Sequence, residues 1–311
     1  MDSSTNSSNG FLHEEFYKYS YFVRATALAI GIPIIIFGFL GNLMTIIAVV
    51  KTKSLRTGEN IFIICLSACD LMYVTIILPT SLCVIWNNAW IFNKAFCKIY
   101  PVIQIMSIGG NLMSLSGTAV SRYLKIIHPN TFRHLFGRRR NIVILVSSFL
   151  AVPFLILPVL TEVWGKMGYD QETLMCFIVR DGSGYYMFCT FFMIIIPTAF
   201  ISFCYLCILR KVCSNRRTIQ AARNTEDGGQ PSAAMREDLR YTSMMVAIFV
   251  VFLLTYAPCV IDIVIYPNVQ DLNMTFFTKV CLWLGCCINP VLYSLLNRNF
   301  RQAFVKIVTQ V

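Results

Sequence analysis

Seven stretches almost free of charge divide this chain, at about 25–50, 60–86, 99–120, 141–161, 182–209, 241–261 and 280–297. Each approaches the roughly 20 residues that an α-helix needs to cross a bilayer. In hydrocarbon every backbone N–H and C=O must be satisfied internally, so apolar runs of this length are read as helices packed side by side. Composition agrees: 57% of the 311 residues are hydrophobic and only 13% charged, where a soluble protein carries about a quarter. The expected fold class is an all-α membrane protein with seven transmembrane helices.

A net charge of +11 invites a nucleic-acid reading, but its distribution argues otherwise. With the N-terminus outside and the loops alternating, the inner side collects Lys51, Lys53 and Arg56, then Arg122 to Arg140, then Arg210 to Arg240, then Arg298, Arg301 and Lys306. That is most of the 26 Lys and Arg, as the positive-inside rule requires. The partners implied are membrane lipids and no nucleic acid. Met1 to Gly10 has no basic and apolar leader, so we expect no cleaved signal peptide. Asn6 opens a glycosylation sequon on the outer side, and Asn273 opens a second one close to the membrane.

The last apolar stretch carries Asn289-Pro290-Val291-Leu292-Tyr293 and then the basic Arg298-Asn299-Phe300-Arg301. Pro290 removes a backbone donor inside the membrane. Asn289 and Tyr293 lie four apart, on one helix face. The segment resembles the seventh helix of rhodopsin-like G-protein-coupled receptors, followed by their short amphipathic eighth helix. The third stretch carries the same resemblance. Cys97 and Arg122 are 25 residues apart, roughly a membrane thickness at 1.5 Å per residue, and Ser121-Arg122-Tyr123 stands where the family has Asp-Arg-Tyr. Phe252, Tyr256 and Pro258 resemble its sixth-helix switch, with Tyr256 in place of Trp. Phe149 replaces Trp in the fourth stretch, and Pro197 and Tyr205 mark the fifth.

The resemblance implies one receptor domain over 1–308. It would have an extracellular N-terminus (1–24), a third cytoplasmic loop (211–238), and an amphipathic helix with a short tail (298–311). Cys97 and Cys176 both fall on the oxidising outer side, and we expect them to pair. Ser121 cannot ion-pair with Arg122, so Asp238 at the inner end of the sixth helix is expected to hold it at rest. Asn42, Asp70, Ser107, Asn111 and Asn289 form one polar interior around a lone carboxylate. Intramembrane acids are functional-site candidates, and the resemblance implies an allosteric sodium ion at Asp70. No other metal or cofactor is expected.

Gln104, Ile108, Tyr256, Val260, Lys279 and Trp283 are the expected pocket lining, with Arg180 held over the mouth by the disulfide. Gln104 stands where aminergic receptors carry Asp, and Trp283 where opsins carry the retinal Lys, which argues against both ligand classes. Glu59 to Phe62, Ser202 to Leu206 and Leu295 to Arg301 look like melatonin receptors. Arg236 to Arg240, on through Met244-Met245, looks like the insect Moody-type receptors, a group near melatonin receptors and the medium-chain fatty acid receptor. The implied function is a plasma-membrane receptor that binds a neutral indole-like or lipid-like extracellular ligand and activates a heterotrimeric G protein of the Gi/o type. The rival is a multi-span transporter or channel. Such proteins show internal repeats and broken midplane helices, and neither is seen in the sequence. An enzyme is not expected: His13, His128 and His134 lie outside the apolar stretches, and no hydrolase or zinc motif appears.

Overall fold

The computed structural model describes residues 18–170, 174–179, 184–223, 233–265 and 271–309. Among the described residues, seven long helical segments form a bundle. The first runs Tyr21–Lys51, the second Asn60–Asn87 and the third Lys94–Ile127. The fourth is Arg138–Leu160. The fifth starts at Tyr185 and ends at Arg223. The sixth is Ala233–Ile265 and the seventh Leu272–Leu296. A short helix, Pro129–Leu135, links the third and fourth. A final helix, Arg298–Thr309, buries Phe300 and Ala303 against the bundle. The fifth helix thus continues to Arg223 and the sixth begins at Ala233, well inside the stretch expected to be a loop.

Capping fixes where the helices begin. Asn93 Oδ1 accepts from the backbone N–H of Phe96 at the start of the third, and Asp271 Oδ1 from that of Asn273 at the start of the seventh. Among the described residues, two helices contain a π turn, Tyr73–Ile77 in the second and Phe191–Ile195 in the fifth. Each lies just before a proline, Pro79 and Pro197. A proline leaves the carbonyl four residues earlier without its N–H partner, here Thr75 and Met193, and both sit in the π turns.

Beside a largely apolar core, the bundle buries polar groups and turns large apolar side chains outward. Asn42, Asp70, Ser107, Asn111, Arg122 and Asn289 are buried, while Phe22, Phe37, Val143, Phe154, Leu254 and Leu295 are more than 60% exposed. So much outward apolar surface suits hydrocarbon and not water. The third helix is central and touches the second, fourth, fifth and sixth. Small residues allow close approach. A Cβ at Gly41 would stand 3.0 Å from Pro290, and one at Gly117 would collide with the ring of Phe62.

One end of the bundle carries a β-hairpin, β1 Met167–Asp170 against β2 Met175–Ile178, with Tyr169 opposite Cys176. Cys176 is bonded to Cys97 at the start of the third helix, with Cα atoms 5.3 Å apart. The disulfide therefore pins the hairpin across this end. Arg122 marks the opposite end.

Candidate functional site

Three features are stacked along the bundle axis. The first is a cavity of about 1050 Å³, open mouth included, under the hairpin. Its walls are mostly apolar: Ile105, Ile108, Met175, Phe177, Met193 and Leu282. Gln104, Thr190, Asp262, Thr278 and Lys279 supply the polar groups. An apolar hollow with a few convergent polar groups is the usual form of a small-molecule site. Tyr19 lies beside Lys279, one of the lining residues. Its backbone pairs with the Asn88 amide at 2.8 and 3.2 Å, and the Lys279 ammonium lies 5.8 Å from its ring centre. Burial pushes the Tyr19 phenol above its usual range.

Of the expected lining, Gln104, Ile108 and Lys279 are on this cavity. Val260 and Trp283 are not. Val260 follows Cys259, and Trp283 follows Leu282; one residue turns a side chain about 100° around the helix. Trp283 is instead fully buried in the core shared with the first and second helices, edge-on to Phe276 at 6.3 Å. Arg180 and Asn6 lie outside the described residues.

The second feature is a buried polar layer beside a smaller cavity of about 330 Å³. Asp70 accepts from Asn111 Nδ2 at Oδ1 and from Asn289 Nδ2 at Oδ2, both at 2.8 Å. Ser107 Oγ donates to the Cys69 carbonyl at 3.2 Å. Asn42 does not join the carboxylate. Its amide donates to the carbonyls of Gly38 at 2.9 Å and Cys286 at 2.8 Å. The second contact has a clear cause: Cys286 is four residues before Pro290, so its carbonyl is the one that the proline leaves without a partner.

Tyr256 lines this lower cavity and not the upper one. It starts an aromatic ladder. Its ring lies 4.2 Å from Phe252, Phe252 lies 6.5 Å from Phe249, and Phe249 lies 5.5 Å from Tyr205. Ile108, Cys259 and Leu282 belong both to the upper cavity wall and to the core that holds Tyr256. The two levels are therefore in packing contact.

The third feature is Arg122. Its guanidinium pairs with the carboxylate of Glu59, just before the second helix. It also lies over the ring of Tyr241 from the sixth helix, 3.7 Å from the centre. Lys125 Nζ stands 3.6 Å from Glu59. The side chain of Asp238, the expected partner, is outside the described residues; Glu59 is an acid that the sequence reading did not single out. Tyr123 turns away, with its ring 5.8 Å from His128 and 6.4 Å from Phe203. Tyr293 is fully buried and stacks on Phe300 at 5.2 Å.

Comparison with known proteins follows the same lines. The profile of the seven-transmembrane receptor (rhodopsin family) matches residues 41–293. The chain is 30% identical to Protein trapped in endoderm-1 of Drosophila melanogaster, over 87% of this chain and 74% of that protein. It is 28% identical to Melatonin receptor type 1B-B of Danio rerio, over 92% and 84%. It is 25% identical to the G-protein coupled receptor moody of Drosophila pseudoobscura pseudoobscura, over 93% of this chain and 53% of that longer protein.

Proposed function

Because the chain belongs to the rhodopsin family of seven-transmembrane receptors, we propose that it binds a small extracellular ligand under the hairpin and activates a Gi/o-class G protein at the Arg122 end. It is a multi-pass receptor of the plasma membrane. With the N-terminus outside, the disulfide lies in the oxidising compartment and the basic loops in the cytoplasm, which supports that orientation. One observation carries the reading: a ligand-sized cavity and a held, buried arginine stand at opposite ends of one bundle, with the Tyr256–Phe252–Phe249–Tyr205 ladder between them.

Activation is then a shift between two packings. A ligand pressing on Ile108, Cys259 and Leu282 moves Tyr256, and the sixth helix hinges at Pro258. Its inner end carries Tyr241 away, and Arg122 is released toward Tyr205 and the G protein. The cavity walls favour a neutral indole-like or lipid-like body with one polar end, held by Gln104, Thr278 or Lys279.

An allosteric sodium ion would be held by Asp70, Ser107 and Asn111. Support for the fit comes from Asn111 Oδ1, which is buried without a hydrogen-bond partner in this oxygen-rich layer. The ion would offset the buried carboxylate.

The test is G-protein dissociation in cells given medium-chain acids or neutral indoles. Acid responses lost in Lys279→Ala or Arg180→Ala would favour an anionic lipid. Indole responses that survive both would favour the melatonin-like class. Responses that persist in full in Arg122→Ala would refute coupling through this end.

A further inference from the structure

Family members of this kind usually hold their arginine with the acid one residue before it, and here that residue is Ser121, fully buried. We infer that the pair Glu59-Asn60 replaces that acid, and that it forms the resting clamp which sets ligand-free signalling. The inference rests on the receptor reading above.

The two residues are adjacent at the start of the second helix and act on two different neighbours. Glu59 binds the Arg122 guanidinium of the third helix. Asn60 Oδ1 accepts the phenolic O–H of Tyr241 from the sixth helix at 2.9 Å, and its Nδ2 donates to the Leu55 carbonyl at 2.8 Å. Tyr241 covers the guanidinium that Glu59 pairs with. One short segment thus ties the third and sixth helices together. The sixth cannot swing outward without breaking the Tyr241–Asn60 bond and uncovering Arg122.

The chemistry favours a carboxylate at this place. Glu59 is only 12% exposed and Arg122 only 4%, so the pair is shielded from water. Glu59 also stands at the N-terminus of the second helix, where unpaired backbone N–H groups favour negative charge. Lys125 adds a second cation at 3.6 Å. The carboxylate is stabilised by three sources while Arg122 is held. Glu59 is a positioning residue: it acts through Arg122 and touches neither ligand nor G protein at rest.

The experiment uses the full chain in nanodiscs without ligand. Two readouts are taken: nucleotide exchange on purified Gi, Gs and Gq heterotrimers, and amide hydrogen exchange over residues 240–250. Glu59→Gln keeps the size and removes the charge. It is expected to raise exchange at least about fivefold on one heterotrimer, the low end for a coupling of this kind, and to speed hydrogen exchange in that segment. Glu59→Asp is expected to stay near wild type. Adding Ser121→Asp to Glu59→Gln restores an acid beside Arg122 and should bring both readouts back. Tyr241→Phe keeps the ring over Arg122 but loses the Asn60 bond, and should give a smaller rise.

If hydrogen exchange follows this pattern while no heterotrimer responds, the clamp stands and the coupling reading fails. If Glu59→Gln leaves hydrogen exchange unchanged, or if Ser121→Asp does not reverse its effect, the Glu59–Arg122 pair is only structural and the inference is overturned.

Discussion

Asn42 offers a quantitative test of how this bundle tolerates its proline. Pro290 cannot donate to the Cys286 carbonyl, and the Asn42 amide takes that role from the first helix at 2.8 Å. Side-chain hydrogen bonds between membrane helices average only about 0.6 kcal/mol, with a maximum near 1.7, because unfolded segments find other partners. Here the acceptor is a fully buried carbonyl, so the upper end applies. Asn42→Ala should therefore cost about 1.5–3 kcal/mol once the small cavity is included.

The decisive arm is the double variant. Pro290→Ala restores the N–H that Cys286 lacks, after which Asn42 has little left to do there. Asn42→Ala in that background keeps its cavity cost but loses the hydrogen-bond part, so it should cost about 1 kcal/mol less than in wild type, which is the coupling between the two sites. Unfolding by SDS in mixed micelles would be followed with a thiol-reactive fluorophore, since Cys69, Cys204 and Cys286 are buried in the folded chain. Equal losses in the two backgrounds would refute the assignment of Asn42 to the proline's orphaned carbonyl.

Two further expectations follow from the same packing. Gly117→Ala places a methyl against the ring of Phe62 and should lower stability by about 1–3 kcal/mol; Phe62→Leu should recover part of the loss, and a Gly117→Ala protein as stable as wild type in the same titration would contradict the close contact. Ligand-free nucleotide exchange should be lower in sodium chloride than in choline chloride, and Asp70→Asn should abolish the difference; a wild type that ignores sodium would remove the ion from this site.

Much of the fold is legible in the sequence, because hydrocarbon allows so few solutions. Length and charge alone locate the seven helices, though not the inner ends of the fifth and sixth or the start of the seventh, and the spacing of Cys97 and Arg122 orients the third across the bundle. The π turns were not legible: they precede Pro79 and Pro197, but Pro33, Pro101, Pro258 and Pro290 lie inside helices with no π turn before them. The Asn42 contact could have been found by counting four residues back from Pro290. Glu59 could not. It reaches Arg122 from another helix after a loop, and no periodicity connects positions 59 and 122. With Ser121 next to the arginine, expectation turned to Asp238 at the sixth helix. The cavity lining was only half legible, since Val260 and Trp283 each stand one residue beyond a wall position, and such phase differences depend on how each helix is kinked.

The π turn at Phe191–Ile195 has a consequence for the winding of the fifth helix. Tyr185 near the ligand end and Ile208 near the G-protein end are both fully buried. In a plain α-helix these two positions would point about 140° apart. One extra residue in a turn takes back about 100° of that difference, so both ends present the same face to the bundle. The bulge acts as a one-residue correction to the helix phase. Rewinding it to ordinary α-helix would rotate the ligand-side half against the inner half, so this helix can carry torsion as well as tilt.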